Sequence, residues 1–423
     1  MKIIDFENAS CKHCYKCVRT CSVKAIKVKN AQAQIMTDYC VLCGHCLEVC
    51  PQNAKTFASD LDMVKYYLKH GEKVALSIAP SYLGIFKYDH PGQVIDALKK
   101  LGFTYVRETA EGAALVTEAY QKLMDEGKMK NIITTCCPSV NDLVEKYYPE
   151  LTSDMAPVVS PMIAHGMLMK AIYGERVKTV FAGPCIAKKE EARDDERTEG
   201  YIDAVITFAE LEAWFKEAGI DVFACSNVPV DNPDPKINRM YPVRKGVMTS
   251  VLTEHGSDGY KMFDIDGMDN CRELFDEMRQ GKLSGCFVEA NMCEGGCVKG
   301  PAVNKLNISR FSSTLDIERM VEHKKGEQEP EAQTLNLHKA FYSREVREKM
   351  PTEEEIQKIL KATGKYNKDQ ELNCGACGYP SCREKAIAVY QGKAEQEMCL
   401  PYAYESAHSM SNVVMDTTPN MIL

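Results

Sequence analysis

Twenty cysteines restrict how this chain of 423 residues can fold more than any other feature of its sequence. Most stand in tight groups, with two or three residues between neighbours, and long stretches with few cysteines separate the groups. Such thiols either pair as disulfides or bind metal, and disulfides are rare where thiol pools are reducing. The N-terminus lacks the basic and apolar segments of an export signal. A cytoplasmic location is therefore predicted, and metal ligation is the favoured interpretation of the cysteines.

The first cysteine block, in residues 1–57, repeats one spacing. The pattern C-x2-C-x2-C-x3-C occurs twice, and Pro51 follows the second copy. This spacing resembles that of bacterial two-cluster ferredoxins, in which the fourth cysteine of each copy binds the other cluster. Zinc is the alternative for any C-x2-C pair, but zinc sites seldom use two interlocked quartets. The resemblance implies two [4Fe-4S] clusters, one bound by Cys11, Cys14, Cys17 and Cys50 and one by Cys40, Cys43, Cys46 and Cys21.

Residues 58–350 show alternating strand and helix patterns, which predict an α/β domain with largely parallel sheets. Apolar runs predict strands in four places: Val74–Ala79, Asn131–Thr135, Val177–Ala182 and Gly285–Val288. Cysteine motifs follow three of these strands: Cys136 with Cys137, Cys185, and Cys293 with Cys297. Ligands gather outside the carboxyl ends of strands in open α/β sheets, so four of these thiolates are expected to converge on one cluster.

The residues around these cysteines resemble a known family. TTCCPSV, AGPCIAKKEEA and EANMCEGGCVKGPA, in this order, resemble the three signature loops of the [FeFe]-hydrogenase large subunit. The resemblance implies an α/β H-cluster domain of two lobes, with mixed, largely parallel sheets and flanking helices, after a bacterial-ferredoxin-like α+β domain. It also implies an H-cluster in which Cys297 bridges to a di-iron subsite that carries CO, cyanide and an azadithiolate. The cysteines implied for its [4Fe-4S] part are Cys137, Cys185, Cys293 and Cys297.

The same resemblance gives three other residues a role. Cys136 corresponds to the family cysteine that exchanges protons with the bridging amine, and a buried, inert thiol is its alternative. Lys188 corresponds to the lysine that contacts a cyanide, and a surface lysine at a charged helix start is its alternative. Glu111 corresponds to one glutamate of the family's proton path.

The chain also departs from ordinary catalytic members. Ala114 and Ala156 stand opposite the second glutamate and the serine of the proton path, and alanine cannot relay a proton. Slow turnover is therefore expected, in a protein that senses H2 or redox state. Further replacements stand opposite the two methionines that flank the subsite in those members, which are Gly183 and Asn291 here. Val140 stands opposite the tryptophan after the first motif, and Met162 opposite a glutamine near a cyanide.

A third block, in residues 351–400, is predicted to be a small Fe–S module. It resembles the module at the front of corrinoid iron–sulfur proteins. This resemblance implies one more [4Fe-4S] cluster, the third besides the H-cluster, with zinc as the alternative metal. One helix is predicted to begin near Thr352 and another to cover Arg383–Glu397. The four cysteines of this module are Cys374, Cys377, Cys382 and Cys399.

Residues 401–423 are predicted to form a linker helix, over Tyr404–Val414, and the start of a truncated PAS domain, because MDTTPNMIL resembles a PAS opening. With the rest of the chain, this points to the sensory, PAS-linked branch of the family. The remaining thiols have no partner spacing and are expected to be buried and inert. They are Cys225, Cys271 and Cys286.

Composition limits the partners. A net charge of -8 disfavours nucleic acid, and no apolar stretch approaches the roughly 20 residues of a membrane helix. The expected partners are H2 and protons, an electron-transfer or PAS-linked signalling protein, hydrogenase maturation proteins and a second copy in a homodimer. Two alternative functions stay open: a non-enzymatic, hydrogenase-like Fe–S scaffold protein, and a fast fermentative, ferredoxin-linked hydrogenase.

Overall fold

The computed structural model describes residues 3–6, 10–253, 255–303 and 308–417. These residues form two compact units. The first comprises residues 41–44 and 58–345, and the second comprises the described parts of 2–40, 45–57 and 346–423. Most of the predicted PAS-like segment, residues 418–423, lies outside the described residues.

The strands are short, and most of them lie in the first unit. In chain order they are β1 Ile4–Phe6, β2 Ile26–Lys29, β3 Gln32–Ile35, β4 Lys55–Phe57, β5 Val74–Ile78, β6 Tyr105–Glu108, β7 Ile132–Ile133, β8 Lys178–Gly183, β9 Ala204–Thr207, β10 Lys261–Asp266 and β11 Cys286–Asn291.

The helices occupy the segments between the strands and the C-terminal part of the chain. They are α1 Lys16–Thr20, α2 His45–Glu48, α3 Leu61–Lys69, α4 Tyr82–Ile85, α5 Gly92–Leu101, α6 Ala110–Glu126, α7 Pro138–Tyr147, α8 Pro161–Tyr173, α9 Ala187–Arg193, α10 Phe208–Glu217, α11 Gly246–Leu252, α12 Met268–Arg279, α13 Arg310–Glu318, α14 Glu353–Ala362, α15 Cys382–Tyr390 and α16 Leu400–Thr417. Within the part of the chain that the structure covers, none of them is long and apolar enough to cross a bilayer.

The first unit contains two sheets, with strand orders β6-β5-β8-β9 and β10-β11-β7. Every strand pair in both sheets is parallel. This confirms the predicted α/β domain, although neither sheet is mixed. The apolar runs correctly predicted β5, β7, β8 and β11. They missed β6, β9 and β10. The residues of β10 are only half buried and include two aspartates, so no apolar run marks that strand.

Local sequence signals place the cysteine loops close to the strand ends. Pro138 and Pro161 occupy the first positions of α7 and α8, where a fixed φ suits the helix and the missing N–H costs nothing. Thr207 caps α10 through a capping box with Glu210. The core of this unit centres on β5, whose residues are all buried. Short turns at the strand ends therefore hold the loops against a rigid core.

The second unit contains two antiparallel strand pairs, β1 with β4 and β2 with β3. Its C-terminal part packs α14 against α15 through Ile356, Leu360 and Ala386. The predicted helix start near Thr352 is confirmed by a capping box with Glu355. The prediction of one helix over Arg383–Glu397 was too long, because α15 ends at Tyr390 and Gly392 follows with φ of 69°.

Candidate metal centre

Three loops at the carboxyl ends of strands carry the cysteines of the first unit. Cys136 and Cys137 lie between β7 and α7, and Cys185 lies between β8 and α9. Cys293 and Cys297 follow β11, which pairs directly with β7. Two neighbouring strands of one sheet and one strand of the other thus supply the loops.

The structure brings the four predicted H-cluster cysteines together around a cavity of about 40 Å³. Cys136, Lys188 and Cys43, from the loop 41–44 of the same unit, also line it. The walls include Pro138, Pro184 and Pro301, none of which adds a hydrogen-bond donor. The four grouped residues are Cys137, Cys185, Cys293 and Cys297.

The electrostatics of this cavity fit a cationic metal cluster. Burial raises the pKa of Cys137 and Cys297, and it raises the pKa of Cys185 to about 11. Thiols in such surroundings keep their protons unless a cation binds and stabilises the thiolates. Four soft sulfur ligands around one small space suit an iron–sulfur cluster or zinc. The residues present therefore fit the [4Fe-4S] part of an H-cluster.

A second cavity, of about 90 Å³, shares a wall with the first. Cys136, Cys185, Lys188 and Cys297 line both. Its remaining walls are mostly apolar, with hydroxyl groups from Ser81, Thr109 and Tyr241 and the amide of Asn291. Apolar walls with few polar groups are typical of a pocket that orients a small ligand.

Lys188 is buried and lines both cavities. Its ammonium donates to Oε2 of Glu191 at 2.6 Å and to the carbonyl of Cys136 at 3.2 Å. Burial alone would lower the pKa of Lys188, but the Glu191 carboxylate outweighs burial and leaves that pKa above its ordinary value. Ser160 donates to the same Glu191 oxygen at 2.9 Å. Lys188 is therefore a fixed cation at the cavity wall, and not a surface lysine.

Cys136 lies beside the phenol of Tyr120, with 3.2 Å between the sulfur and the oxygen. Burial raises the pKa of Cys136 to about 12. The backbone N–H of Thr135 donates to the same phenol oxygen at 2.9 Å, which fixes the ring. The thiol is thus protonated at neutral pH and held next to the phenol hydroxyl of Tyr120.

Glu111 is buried, and its carboxylate is bound by Arg107 and His165. Arg107 binds both of its oxygens, at 2.9 and 2.5 Å, and Nε2 of His165 lies 3.1 Å from Oε2. Ala114 and Ala156, the replacements in the family path, are buried as well. Neither of these side chains carries a hydrogen-bonding group.

The second unit brings two further sets of cysteines together. Cys11, Cys14, Cys17 and Cys50 line one small cavity, as the crossed spacing predicts. Cys374, Cys377, Cys382 and Cys399 line a cavity of about 320 Å³. Lys365 donates to the sulfur of Cys399 at 3.3 Å, so a buried ammonium faces this second set.

Each cysteine of the remaining predicted quartet (Cys40, Cys43, Cys46 and Cys21) is located by a contact or element of its own. Cys21 accepts the N–H of Ala25 at 3.3 Å, Cys40 follows the turn Thr37–Tyr39, and Cys46 belongs to α2. Cys43 lines the cavity in the first unit. Outside the four sets, the thiols of Cys225, Cys271 and Cys286 are buried, as predicted.

Comparison with protein families identifies the first unit. A model of the iron-only hydrogenase large subunit, C-terminal domain, matches residues 72–301, which is more than half of the chain. The chain belongs to the [FeFe]-hydrogenase large-subunit family. A 4Fe-4S dicluster model matches residues 10–54, and a model of an Fe–S cluster module matches residues 370–401.

Several characterised proteins are similar to this family member. Iron hydrogenase 1 of Clostridium pasteurianum is 27% identical over 377 residues, which cover 64% of this chain and 65% of that protein. The periplasmic [Fe] hydrogenase large subunit of Nitratidesulfovibrio vulgaris is 30% identical over 262 residues, 49% of this chain and 61% of that protein. The chain thus spans less than two thirds of these relatives' length. The cytosolic Fe-S cluster assembly factor NAR1 of Vanderwaltozyma polyspora is 26% identical over 52% of this chain and 44% of that protein.

Solved structures support the same fold. A variant of the [FeFe]-hydrogenase HydA1 from Chlamydomonas reinhardtii superposes with a TM-score of 0.54 at 19% identity. The match covers 68% of this chain and all of that chain. At this identity the similarity shows the fold alone.

Sequence reasoning missed buried polar residues that lie in or near the wall of the second cavity or bond to such residues. Tyr120, His165, Ser77 and Thr109 are all buried, and each has a side-chain hydrogen bond to a residue of another element. The available signal was a polar residue inside an apolar run, such as Ser77 in VALSI. Such a signal marks a residue that needs a partner but does not name the partner.

Proposed function

We propose that this chain is an [FeFe]-hydrogenase that interconverts H2 with protons and electrons at an H-cluster. The observation that carries the proposal is the second cavity beside Cys297, with Cys136 and Lys188 in its walls. A protein that held only a cubic cluster would need the four thiolates and no such cavity. When bound, the H-cluster supplies the iron site and the amine base that split H2.

The chain's own residues then have three tasks. The four thiolates of the first cavity hold the cluster, with Cys297 at the border of the second cavity. Lys188 presents an ammonium that pairs with a cyanide ligand, a charge-assisted contact. Cys136, held by Tyr120, exchanges a proton with the reacting centre. The rest of the wall is mostly apolar, which limits the access of bulk water.

Electrons leave through the other cysteine sets, which we assign to three further [4Fe-4S] clusters. The two family models over residues 10–54 and 370–401 support this assignment. The proposed quartets are the crossed sets of the N-terminal domain and the set ending at Cys399. The partners implied are an electron carrier or signalling protein and the maturation proteins that insert the di-iron subsite.

Slow turnover and a sensing role are part of the proposal. Ala114 and Ala156 remove two groups of the family's proton path, and a general acid or base of this kind contributes roughly 10²-fold or more to a rate. A sensor needs its cluster to change state with H2 and does not need rapid turnover. A PAS-linked regulator is the proposed recipient of that signal.

The second candidate is a non-enzymatic Fe–S scaffold, which the similarity to NAR1 supports. The two candidates differ in one feature. The scaffold needs no di-iron subsite, so iron-bound CO and cyanide would be absent.

Infrared spectroscopy of the protein co-expressed with maturation proteins separates the candidates. We expect bands of iron-bound CO and cyanide that change under H2, together with slow H2 oxidation. Cys297→Ser should lose these bands, whereas Cys225→Ser, which changes a buried thiol outside the four sets, should keep them. A fully matured protein with no such bands and no H2 turnover would refute the hydrogenase proposal, and turnover as fast as that of ordinary members would refute the slow sensor.

A further inference from the structure

A row of buried polar side chains begins at the second cavity and leads away from it. Thr109, in the cavity wall, has its hydroxyl 2.6 Å from the hydroxyl of Ser77 on β5. The Ser77 hydroxyl lies 2.7 Å from Nδ1 of His165, and Nε2 of His165 lies 3.1 Å from Glu111. All four residues are at most 5% exposed. The row is therefore shielded from solvent along its whole length.

We propose that this row is a proton relay between the second cavity and the protein surface, and that it serves in place of the family path interrupted at Ala114 and Ala156. The inference rests on the proposed hydrogenase function. The members of the relay, in order from the cavity, are Thr109, Ser77, His165 and Glu111.

Each member of the row can both accept and donate a proton. Burial lowers the pKa of His165, so the imidazole is neutral and has one N–H. With that hydrogen on Nε2, His165 donates to Glu111, and its bare Nδ1 accepts from Ser77. Ser77 in turn accepts from Thr109. All hydrogen bonds of the row then point the same way, from the cavity to Glu111.

The transfer balances without any redox partner. A hydronium ion in the cavity gives its excess proton to the Thr109 oxygen and becomes water, while the Thr109 hydroxyl releases its own proton to Ser77. Ser77 passes its proton to Nδ1 of His165, and Nε2 releases its proton to Glu111. Four bonds to hydrogen form and four break, and the net result is one proton moved from a hydronium ion in the cavity to the carboxylate. A flip of the hydroxyls and of the imidazole tautomer resets the row.

The exit from Glu111 explains why such a relay would be slow. Burial raises the pKa of Glu111, but His165 and Arg107 outweigh burial and hold it below its ordinary value, so the protonated form is short-lived. Arg107 also bonds to Glu329 at 2.9 Å, whose side chain is 27% exposed. Because a guanidinium does not give up its proton, the Arg107–Glu111 pair must open before the proton reaches Glu329 or solvent.

The packing of α6 against α8 places the row. Gly112 follows Glu111 on α6, and a Cβ at this position would lie 2.7 Å from Cβ of His165 on α8 and would also overlap the Pro161 carbonyl. A glycine here lets the two helices approach closely enough for Glu111 to reach the ring. The close approach serves a polar contact inside an apolar core, where four apolar side chains would have cost less.

The test compares Thr109→Val, which keeps the shape and removes the hydroxyl, with Thr109→Ser, which keeps the hydroxyl. In matured holoprotein, the measured quantity is the rate at which the iron-bound CO bands shift after mixing with H2, in H2O and in D2O. We expect Thr109→Val to slow the shift about tenfold or more and Thr109→Ser to restore most of the rate. Thr179→Val removes another buried hydroxyl, one that bonds Asp203 on the far side of β8, and should leave the rate unchanged.

A second readout follows Glu111 directly. Infrared difference spectra during the reaction should show the C=O stretch of a protonated carboxylic acid, which Glu111→Gln abolishes. If Thr109→Val does not fold, Ser77→Ala removes the next hydroxyl and takes the same readouts. Equal rates for Thr109→Val and Thr109→Ser, or a carboxylic band that persists in Glu111→Gln, would overturn the relay. Absent CO and cyanide bands in the wild type would instead refute the proposed function itself.

Discussion

Glu190 lies in the wall of a cavity of about 200 Å³ that is lined mostly by carboxylates. Burial raises the pKa of Glu190 above its ordinary value of 4.5, and the charge of Asp142 raises it further. The unfolded chain therefore loses this proton at a lower pH than the folded protein does. As pH rises above 4.5, the folded state is increasingly penalised. Glu190→Gln should raise the thermal midpoint at pH 8, and this gain should shrink toward pH 5.

Glu145, in the same cavity wall, provides the matched control. Its side chain is fully buried and paired with Arg197 at 2.5 Å and with Arg344 at 2.8 Å. Glu145→Gln leaves two guanidinium groups without this partner and should destabilise the protein at both pH values, by roughly 3–5 kcal/mol. A lower midpoint for Glu190→Gln at pH 8 would contradict the assigned pKa direction.

At this scale the sequence predicted ligands better than their neighbours. The spacing of the cysteines predicted two groups of four that each line one cavity. One group includes Cys50 and the other includes Cys399. The partners of Cys136 and Glu111 could not be predicted in this way. Tyr120 and His165 reach them from different helices, so the contacts depend on how α6, α8 and the loop after β7 pack. Resemblance gave Glu111 a place in a proton path, but only its neighbours show which path is available.

Among the helices, α14 is the one whose start the sequence predicted best. Thr352 accepts the N–H of Glu355 and Glu355 accepts the N–H of Thr352, which is a capping box encoded by two residues three positions apart. Thr352→Ala should lower the free energy of unfolding of the second unit by about 1 kcal/mol and speed hydrogen exchange at Glu355. Thr352→Ser keeps the cap oxygen and should behave like the wild type. If Ala and Ser at this position exchange alike, the cap does not stabilise α14.

Elements without a local signal were harder to predict. The strand β10 carries polar residues and is half buried, and its place at the edge of the three-stranded sheet depends on pairing with β11, more than twenty residues later. Similarly, α15 was predicted too long because its Gly392 stop was outweighed by the helical pattern around it. Periodicity predicts that an element exists, whereas its bounds depend on packing and on single residues.

At the scale of the whole chain, the arrangement of the cysteine sets determines how electrons can move. In the second unit, the loop 375–379 of the C-terminal set contacts the N-terminal segment on both sides of Cys21. Arg19 donates to the carbonyl of Ala376 at 3.0 Å, and Lys24 donates to that of Gly378 at 3.1 Å. Burial raises the pKa of Tyr379, and the nearby thiolates of Cys377 and Cys21 raise it further. We therefore expect the C-terminal cluster to exchange electrons with the cluster that Cys21 binds.

Gly378 offers a direct test of this contact. Its φ is 95°, and a Cβ at this position would lie 2.8 Å from Cγ1 of Val18 and 2.9 Å from its Cβ, so Gly378→Ala must move the loop away. The measurement is the electron paramagnetic resonance spectrum of the fully reduced protein, in which two nearby reduced clusters broaden each other's signals. We expect Gly378→Ala to weaken this broadening while the separate cluster signals and the iron content persist.

Gly392→Ala is the control. Position 392 lies in the same unit and also has a positive φ, 69°, yet a Cβ there meets no atom within 4 Å. This variant should therefore carry the same backbone strain and leave the broadening intact. Broadening that survives unchanged in Gly378→Ala would show that the contact through loop 375–379 does not bring the two clusters together. A loss in both variants would assign the effect to strain in the C-terminal module, and the proposed route from Cys21 to Cys377 would have to be abandoned.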